Sequence, residues 1–145
     1  MLVEYARNVA GIDEAAHAEV DAGGVPVIVP LACSLVGERR MIRAVPGTTA
    51  HAICGAEPWE GYHFCRYGLD PAMIPLLQAA GLVISGHADD GTIEIVELPG
   101  HPFFLATLFQ PQVSSDSAPL HPLLVAFAEA TMTRHLRRGV QTQPR

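Results

Sequence analysis

The segment from residue 70 to residue 98 carries the clearest local signals in the chain. Asp70 and Pro71 are a typical N-cap and first residue of a helix, and Gly81 is a typical helix stop. Two strand-like runs follow, and the turn Asp89-Asp90-Gly91 between them predicts a tight hairpin. The predicted elements are a helix over 71–80 and strands over 82–87 and 92–98. A helix followed by an antiparallel hairpin favours a mixed α/β layout.

The rest of the chain gives weaker signals of the same two kinds. An apolar stripe at helical spacing over residues 2–9 predicts a helix that Gly11 ends. Pro26 and Pro30 lie in a β-branched run over 25–31, which predicts an edge strand or an extended segment because proline cannot donate to a neighbouring strand. The other predictions are strands over 38–45 and 103–109, a strand or loop over 51–53, a helix from 121 towards Arg134, and a frayed tail over 139–145. Residues 1–138 are predicted to form one domain.

Composition and charge exclude several classes of function. The chain has 145 residues, of which 49% are apolar, and its formal net charge is −6. Nucleic-acid binders usually carry clustered positive charge, so we expect no nucleic-acid partner. No apolar run approaches the ~20 residues of a membrane span, and the first residues lack the pattern of a signal peptide. These features predict a cytoplasmic protein that does not bind membranes.

Three cysteines are present, an odd number at irregular spacing, which predicts free thiols. Cys33 lacks the flanking glycines of a nucleophile elbow and is expected to be a small buried side chain. His51 with Cys54, and His63 with Cys65, have chelating spacings, so a zinc site is the alternative to ordinary core and loop residues. The favoured prediction is that the chain binds no metal and no cofactor.

Several motifs in the second half resemble, in order and spacing, the C-terminal half of the class I glutamine amidotransferase domain of CTP synthase. They are Gly81–Gly86, Asp90–Gly91, Ile95–Pro99, His101–Phe104, Phe109–Gln112 and His121–Leu123. Residues 4–9 resemble the helix that follows the nucleophile turn in that family. Residues 61–63 and 109–111 are more similar to a stand-alone branch, the CTP synthase C-terminal-region-related proteins. The resemblance implies an α/β fold, specifically a partial flavodoxin-like amidotransferase fold lacking its first strands and nucleophile elbow.

The resemblance also implies a chemistry that this sequence does not complete. In the family a Cys thiolate attacks the glutamine amide, a His moves the proton and a Glu orients the His. The family's Phe-His-Pro-Glu motif reads Phe109-Gln110-Pro111-Gln112 here, and a glutamine side chain does not titrate. Gln110 and Gln112 therefore predict a domain that is inactive as a glutaminase.

A substrate pocket is implied by Arg66 and Tyr67, which resemble an arginine and tyrosine near the family's glutamine pocket. Arginine suits bidentate recognition of a carboxylate, although an exposed arginine beside a strand is an equal alternative. The implied role is that of a domain related to an enzyme that aminates UTP to CTP, with glutamine or a related small molecule as ligand. The alternatives are a non-catalytic binding or regulatory module and a truncated remnant, and the chain is expected to need a homo-oligomer or an N-terminal partner segment.

For four further residues, the sequence favours a structural role over a functional one. His101 and His121 each precede a proline at an element boundary, which is typical of turn and N-cap residues. Trp59 and Tyr62 are expected in the core before they are expected in a pocket wall, because aromatic side chains supply much of a core's apolar area.

Overall fold

A computed structural model describes residues 1–21, 23–113 and 119–141, with side chains described as far as residue 136. The chain folds into four α-helices, eight strands and one 3₁₀ turn within this part. In chain order these are α1 Leu2–Asn8, β1 Ala15–His17, β2 Val25–Pro30, β3 Arg39–Ala44, α2 Thr49–Cys54, β4 Trp59–Tyr62, β5 Tyr67–Leu69, the 3₁₀ turn Pro71–Met73, α3 Ile74–Ala79, β6 Val83–Ala88, β7 Ile93–Glu97, β8 Leu105–Thr107 and α4 Pro122–Gln141. The mixed α/β layout predicted from the sequence is confirmed.

The strands form two sheets. The order of the first is β1-β2-β5 and that of the second is β4-β3-β6-β7-β8. Strands β1 and β2 are parallel, whereas the other pairings are antiparallel. Strand β2 is therefore an interior strand, and the prediction that it lies at an edge is wrong. Its partners are only three residues long, and the β1 pairing shifts register next to Pro26, where a ladder donor is missing.

Segment 51–53 belongs to a helix, so the prediction of a strand or loop there is wrong. Thr48 caps α2 by accepting the N–H of His51 at 3.2 Å. The carboxylate of Glu97 in β7 accepts the N–H groups of Thr49 and Ala50 at 2.8 and 2.9 Å. Because these donors have no partner inside the helix, a carboxylate from a distant strand stabilises the helix start.

Two apolar clusters hold the sheets and helices together. The first joins α1 to the hairpin and α3, and Tyr5 at its centre donates its hydroxyl to the carbonyl of Ala80 at 2.7 Å. The second lies between the five-stranded sheet, α2 and the start of α4, and its buried members are Ile42, Ala50, Ile95, Phe109 and Leu123. Trp59 packs against this second cluster, as the structural interpretation of its ring predicted.

The two boundary histidines behave as predicted. His121 accepts the N–H of Leu123 at its Nδ1, 3.2 Å away, and so caps the start of α4. His101 makes the same contact with the N–H of Phe103 in a turn. The predicted tail over 139–145 remains a prediction, because α4 extends to Gln141 and residues 142–145 lie outside the described part.

Candidate functional site

A cavity of about 430 Å³ opens where the end of β1 meets the segment that leads into β5. This volume lies within the range of small-molecule sites. Its lining residues are His17, Glu19, Val36, Phe64, Cys65, Arg66 and Tyr67. The cavity thus carries one carboxylate and one guanidinium, with aromatic rings beside them.

The position of Arg66 is fixed through its main chain while its side chain stays exposed. Leu31 donates its N–H to the Arg66 carbonyl at 2.8 Å, and Leu35 donates to the Cys65 carbonyl at 3.0 Å. These bonds tie the loop after β2 to the segment before β5. Among the described residues, neither Arg66 nor Glu19 has a side-chain hydrogen bond or ion pair. Both charges are available to a ligand.

His17 and Tyr67 form one wall of the cavity. Their ring centroids are 5.1 Å apart with an interplanar angle of 47°. His17 also accepts the N–H of Glu19 at Nδ1, 3.2 Å away. The structure therefore brings the two predicted substrate-binding residues, Arg66 and Tyr67, together with two residues that sequence reasoning did not single out.

Gln110 and Gln112 lie beyond the end of β8, and neither lines this cavity. Gln110 donates its N–H to the carbonyl of Tyr62 at 2.8 Å, so the segment after β8 is tied to the end of β4. Gln110 is half-buried and Gln112 is exposed. Their proposed correspondence to a catalytic His and Glu remains a prediction.

A buried polar pair joins β7 to the residue that follows β4. His63 Nε2 and Glu94 Oε2 are 2.8 Å apart, and both side chains are fully buried. Burial raises the pKa of the Glu94 carboxyl, and its bond to His63 opposes that rise. Since both groups are closed off from solvent, we assign the pair to the architecture of the domain.

The three thiols are free, as the sequence predicted. Burial raises the pKa of Cys54 to about 11, and burial together with the charge of Glu94 raises the pKa of Cys65. A raised pKa keeps a thiol protonated and unreactive. Cys33 is exposed, so the prediction that it is buried is wrong.

The four residues of the zinc alternative do not form a metal site. Within residues 1–21, 23–113 and 119–141, no three His, Cys, Asp or Glu side chains are grouped so as to hold a metal ion. His63 uses its Nε2 in the bond to Glu94. Over the same described residues, no helix has the length and apolar character needed to cross a membrane.

Two other cavities of the molecule are mainly apolar. One of about 160 Å³ lies between the two sheets and includes Leu2, Ile28 and Val96 in its wall. The other, of about 550 Å³, lies beside the loop after β2 and includes Leu31, Pro71 and Ile84. Neither combines opposite charges. A smaller cavity, of about 150 Å³, is lined by Arg40 and Asp90, but these two side chains form an ion pair with each other. The cavity of Glu19 and Arg66 is therefore the best candidate for a site that recognises a polar ligand.

The sequence contained only a weak signal for Glu19. An acid two residues after a short apolar run is common on any protein surface, and nothing in the run 15–20 indicates that it faces Arg66. The two residues are brought to one cavity by the parallel pairing of β1 with β2 and the antiparallel pairing of β2 with β5. Only the sheet order reveals that proximity.

Comparison with known proteins shows that the chain is similar to CTP synthases. No protein-family model matches the chain. The CTP synthase of Methanothrix thermoacetophila is 35% identical over 155 aligned positions, which cover 97% of this chain and 27% of the relative. The CTP synthase of Carboxydothermus hydrogenoformans is 37% identical over 142 positions, which cover 90% of this chain and 26% of the relative. The chain thus spans about a quarter of the length of the curated relatives it matches.

A solved structure shows the same fold. The glutaminase domain of Trypanosoma brucei CTPS, with bound acivicin, superposes with a TM-score of 0.80 at 25% sequence identity, over 90% of this chain and 55% of that one. The chain therefore has the fold of a class I glutamine amidotransferase domain. More particularly, it is a glutamine amidotransferase-like domain related to the glutaminase domain of CTP synthase, as its motifs predicted.

Proposed function

We propose that this domain binds a free α-amino acid, glutamine in the first place, without hydrolysing it. The observation that carries the proposal is the presence on one cavity of about 430 Å³ of Glu19 and Arg66, neither of which has a charged partner among the described residues. An α-amino acid carries an ammonium and a carboxylate on the same carbon. Arg66 would bind the carboxylate in bidentate fashion and Glu19 would bind the ammonium.

Glutamine is the favoured ligand because the domain is related to glutaminase domains. Tyr67 and His17 would supply the wall against which the ligand's side chain lies. The chain matches about a quarter of a CTP synthase, so amination of UTP is not part of the role we propose for it.

The absence of hydrolysis follows from the residues available for acyl transfer. Gln110 and Gln112 cannot accept a proton or stabilise an imidazolium, and they would leave a nucleophile without its base. Cys54 and Cys65 are held in the protonated form by burial. Cys33 is exposed but lacks the glycine-flanked turn that places a nucleophile beside an oxyanion hole.

Isothermal titration calorimetry with L-glutamine tests the binding role. We expect Arg66→Gln and Glu19→Gln each to weaken binding at least tenfold, since a hydrogen bond to a charged group contributes roughly 1.5–3 kcal/mol. Arg43→Gln is the control, because Arg43 is another exposed arginine, one that faces Asp89 at 3.5 Å and does not line the cavity. Equal affinity in wild type, Arg66→Gln and Arg43→Gln would refute the site.

An ammonia-release assay tests the catalytic half of the proposal. We expect no release above the buffer background, and no gain from the double change Gln110→His and Gln112→Glu in this chain, because a base without a nucleophile has no proton to move. Release that Cys33→Ala abolishes would show that Cys33 is a working nucleophile.

A further inference from the structure

His17 stands at an irregularity in β1 beside the proposed ligand. Ala15 and Ala16 pair with Val25 and Pro26, whereas His17 pairs with Ile28, so one residue of β2 is skipped. Pro26 has no N–H to donate, and a bulge at that point re-aims the side chain that follows. The result is a His17 ring that lines the cavity and lies against Tyr67.

The hydrogen bond of His17 fixes which of its nitrogens carries the proton. Nδ1 accepts the main-chain N–H of Glu19, so it holds a lone pair. In a neutral imidazole the proton is then on Nε2, which becomes a donor. Among the described residues Nε2 has no partner, so the wall of the cavity offers one N–H donor beside the charges of Glu19 and Arg66.

We infer that His17 is the specificity-determining residue of this cavity, and that its Nε2–H donates a hydrogen bond to an oxygen at the end of the ligand's side chain. The inference rests on the proposed function of the same cavity. An amino acid whose side chain ends in an amide would pair its carbonyl oxygen with Nε2–H. An apolar side chain of the same shape would leave that donor without a partner.

The charges of the cavity favour an amide over a carboxylate. The charges of Glu19 and Arg66 cancel, and so do those of the ammonium and carboxylate groups on the ligand's α-carbon. A ligand whose side chain ends in an amide therefore leaves the site neutral. A side-chain carboxylate would add a negative charge beside Glu19 in a protein of net charge −6. The ligand class is therefore α-amino acids with a neutral side-chain carbonyl.

The test compares L-glutamine with L-homoleucine, in which two methyl groups replace the amide oxygen and nitrogen. We expect the full chain to bind glutamine about tenfold more tightly, a modest factor because His17 is half-buried and water can reach its donor. In His17→Phe the ratio of the two dissociation constants should fall to near one. In His17→Gln, which restores an N–H donor, much of the preference should return.

The outcomes separate this inference from the proposed function. An unchanged ratio in His17→Phe, with near-UV circular dichroism showing an intact fold, overturns the role of His17 alone. Tyr67→Phe removes only a hydroxyl. If this variant loses the preference for glutamine over homoleucine, the Tyr67 hydroxyl recognises the side-chain oxygen, and the role of His17 is again overturned. A wild-type chain that binds neither ligand overturns the proposed function and this inference with it.

Discussion

The charged cavity and the buried pair of His63 and Glu94 use ionisable side chains in opposite ways. In the cavity, a carboxylate and a guanidinium are exposed and have no charged partner within the part of the chain that the structure describes, so they contribute little to folding and are available to a ligand. In the pair, His63 and Glu94 are fully buried and bonded to each other. The difference shows that solvent access, more than residue identity, decides whether a charged group serves binding or architecture.

The largest effect is expected from breaking the buried pair. His63→Leu would leave the Glu94 carboxyl buried without its partner, which costs about 3–5 kcal/mol of unfolding free energy. Urea denaturation measures the loss. Glu60→Gln is the control, because the exposed pair of Arg39 and Glu60 should contribute less than about 1 kcal/mol. Equal losses in the two variants would remove the distinction drawn between buried and exposed charge.

A second prediction compares a glycine in the core with an exposed one. A Cβ on Gly61 would lie 2.3 Å from Ile42 Cδ1 and 3.0 Å from Phe109 Cβ, whereas one on Gly23, an exposed residue before β2, would meet only Asp21 Oδ1 at 3.5 Å. We expect Gly61→Ala to lower the unfolding free energy by about 1–3 kcal/mol through overpacking. Gly23→Ala should change it by less than about 0.5 kcal/mol. A Gly61→Ala variant with the wild-type denaturation midpoint would mean that this core yields to an added methyl group.

The pH dependence of stability gives a third, smaller effect. Burial raises the pKa of Glu94 in the folded state above its ordinary value of 4.5. The folded state therefore binds this proton more tightly than the unfolded state, so the contribution is fully present below pH 4.5 and is lost as pH rises through the folded pKa. Glu94→Gln keeps a hydrogen-bonding group and removes the titration. Unfolding curves measured from pH 4 upwards should show this loss in wild type and a flatter profile in the variant, and parallel profiles would contradict the assignment.

The smallest effect is expected in the charged cavity itself. Arg66→Gln and Glu19→Gln should each change the unfolding free energy by less than about 0.5 kcal/mol, since both side chains are exposed. The same variants are expected to weaken ligand binding at least tenfold. A thermal melt of each variant without ligand is the measurement. A large drop in melting temperature would show that these two residues stabilise the fold, and would contradict the distinction between the charged cavity and the buried pair.

For several elements, residues that are neighbours in the sequence were sufficient to predict the structure. Asp70 accepts the N–H of Ala72 at 2.9 Å, Gly81 has a φ of +101° where the helix ends, and Gly91 has a φ of +86° in the hairpin turn. Each feature depends on residues within a few positions of each other. A cap, a left-handed glycine and a tight turn can therefore be predicted from sequence.

The relationship to CTP synthase was also present in the sequence, because ordered motifs survive at about 35% identity. Those motifs directed attention to Arg66 and Tyr67 and to the two glutamines after β8. They did not indicate Glu19 or His17, whose relevance depends on which strands pair.

Tertiary structure decided the rest, since the deciding contacts join residues far apart in the chain. The helix at 49–54 depends on Glu97, 47 residues beyond Ala50, which supplies an acceptor that no local pattern could reveal. Strand β2 lies inside a sheet despite its prolines because its partners are short and one of them shifts register. The charged cavity exists because two pairings of β2 carry Glu19 and Arg66 to the same place. Sequence determined the local elements and the kinship of this chain, whereas the sheet order determined which of its charges meet.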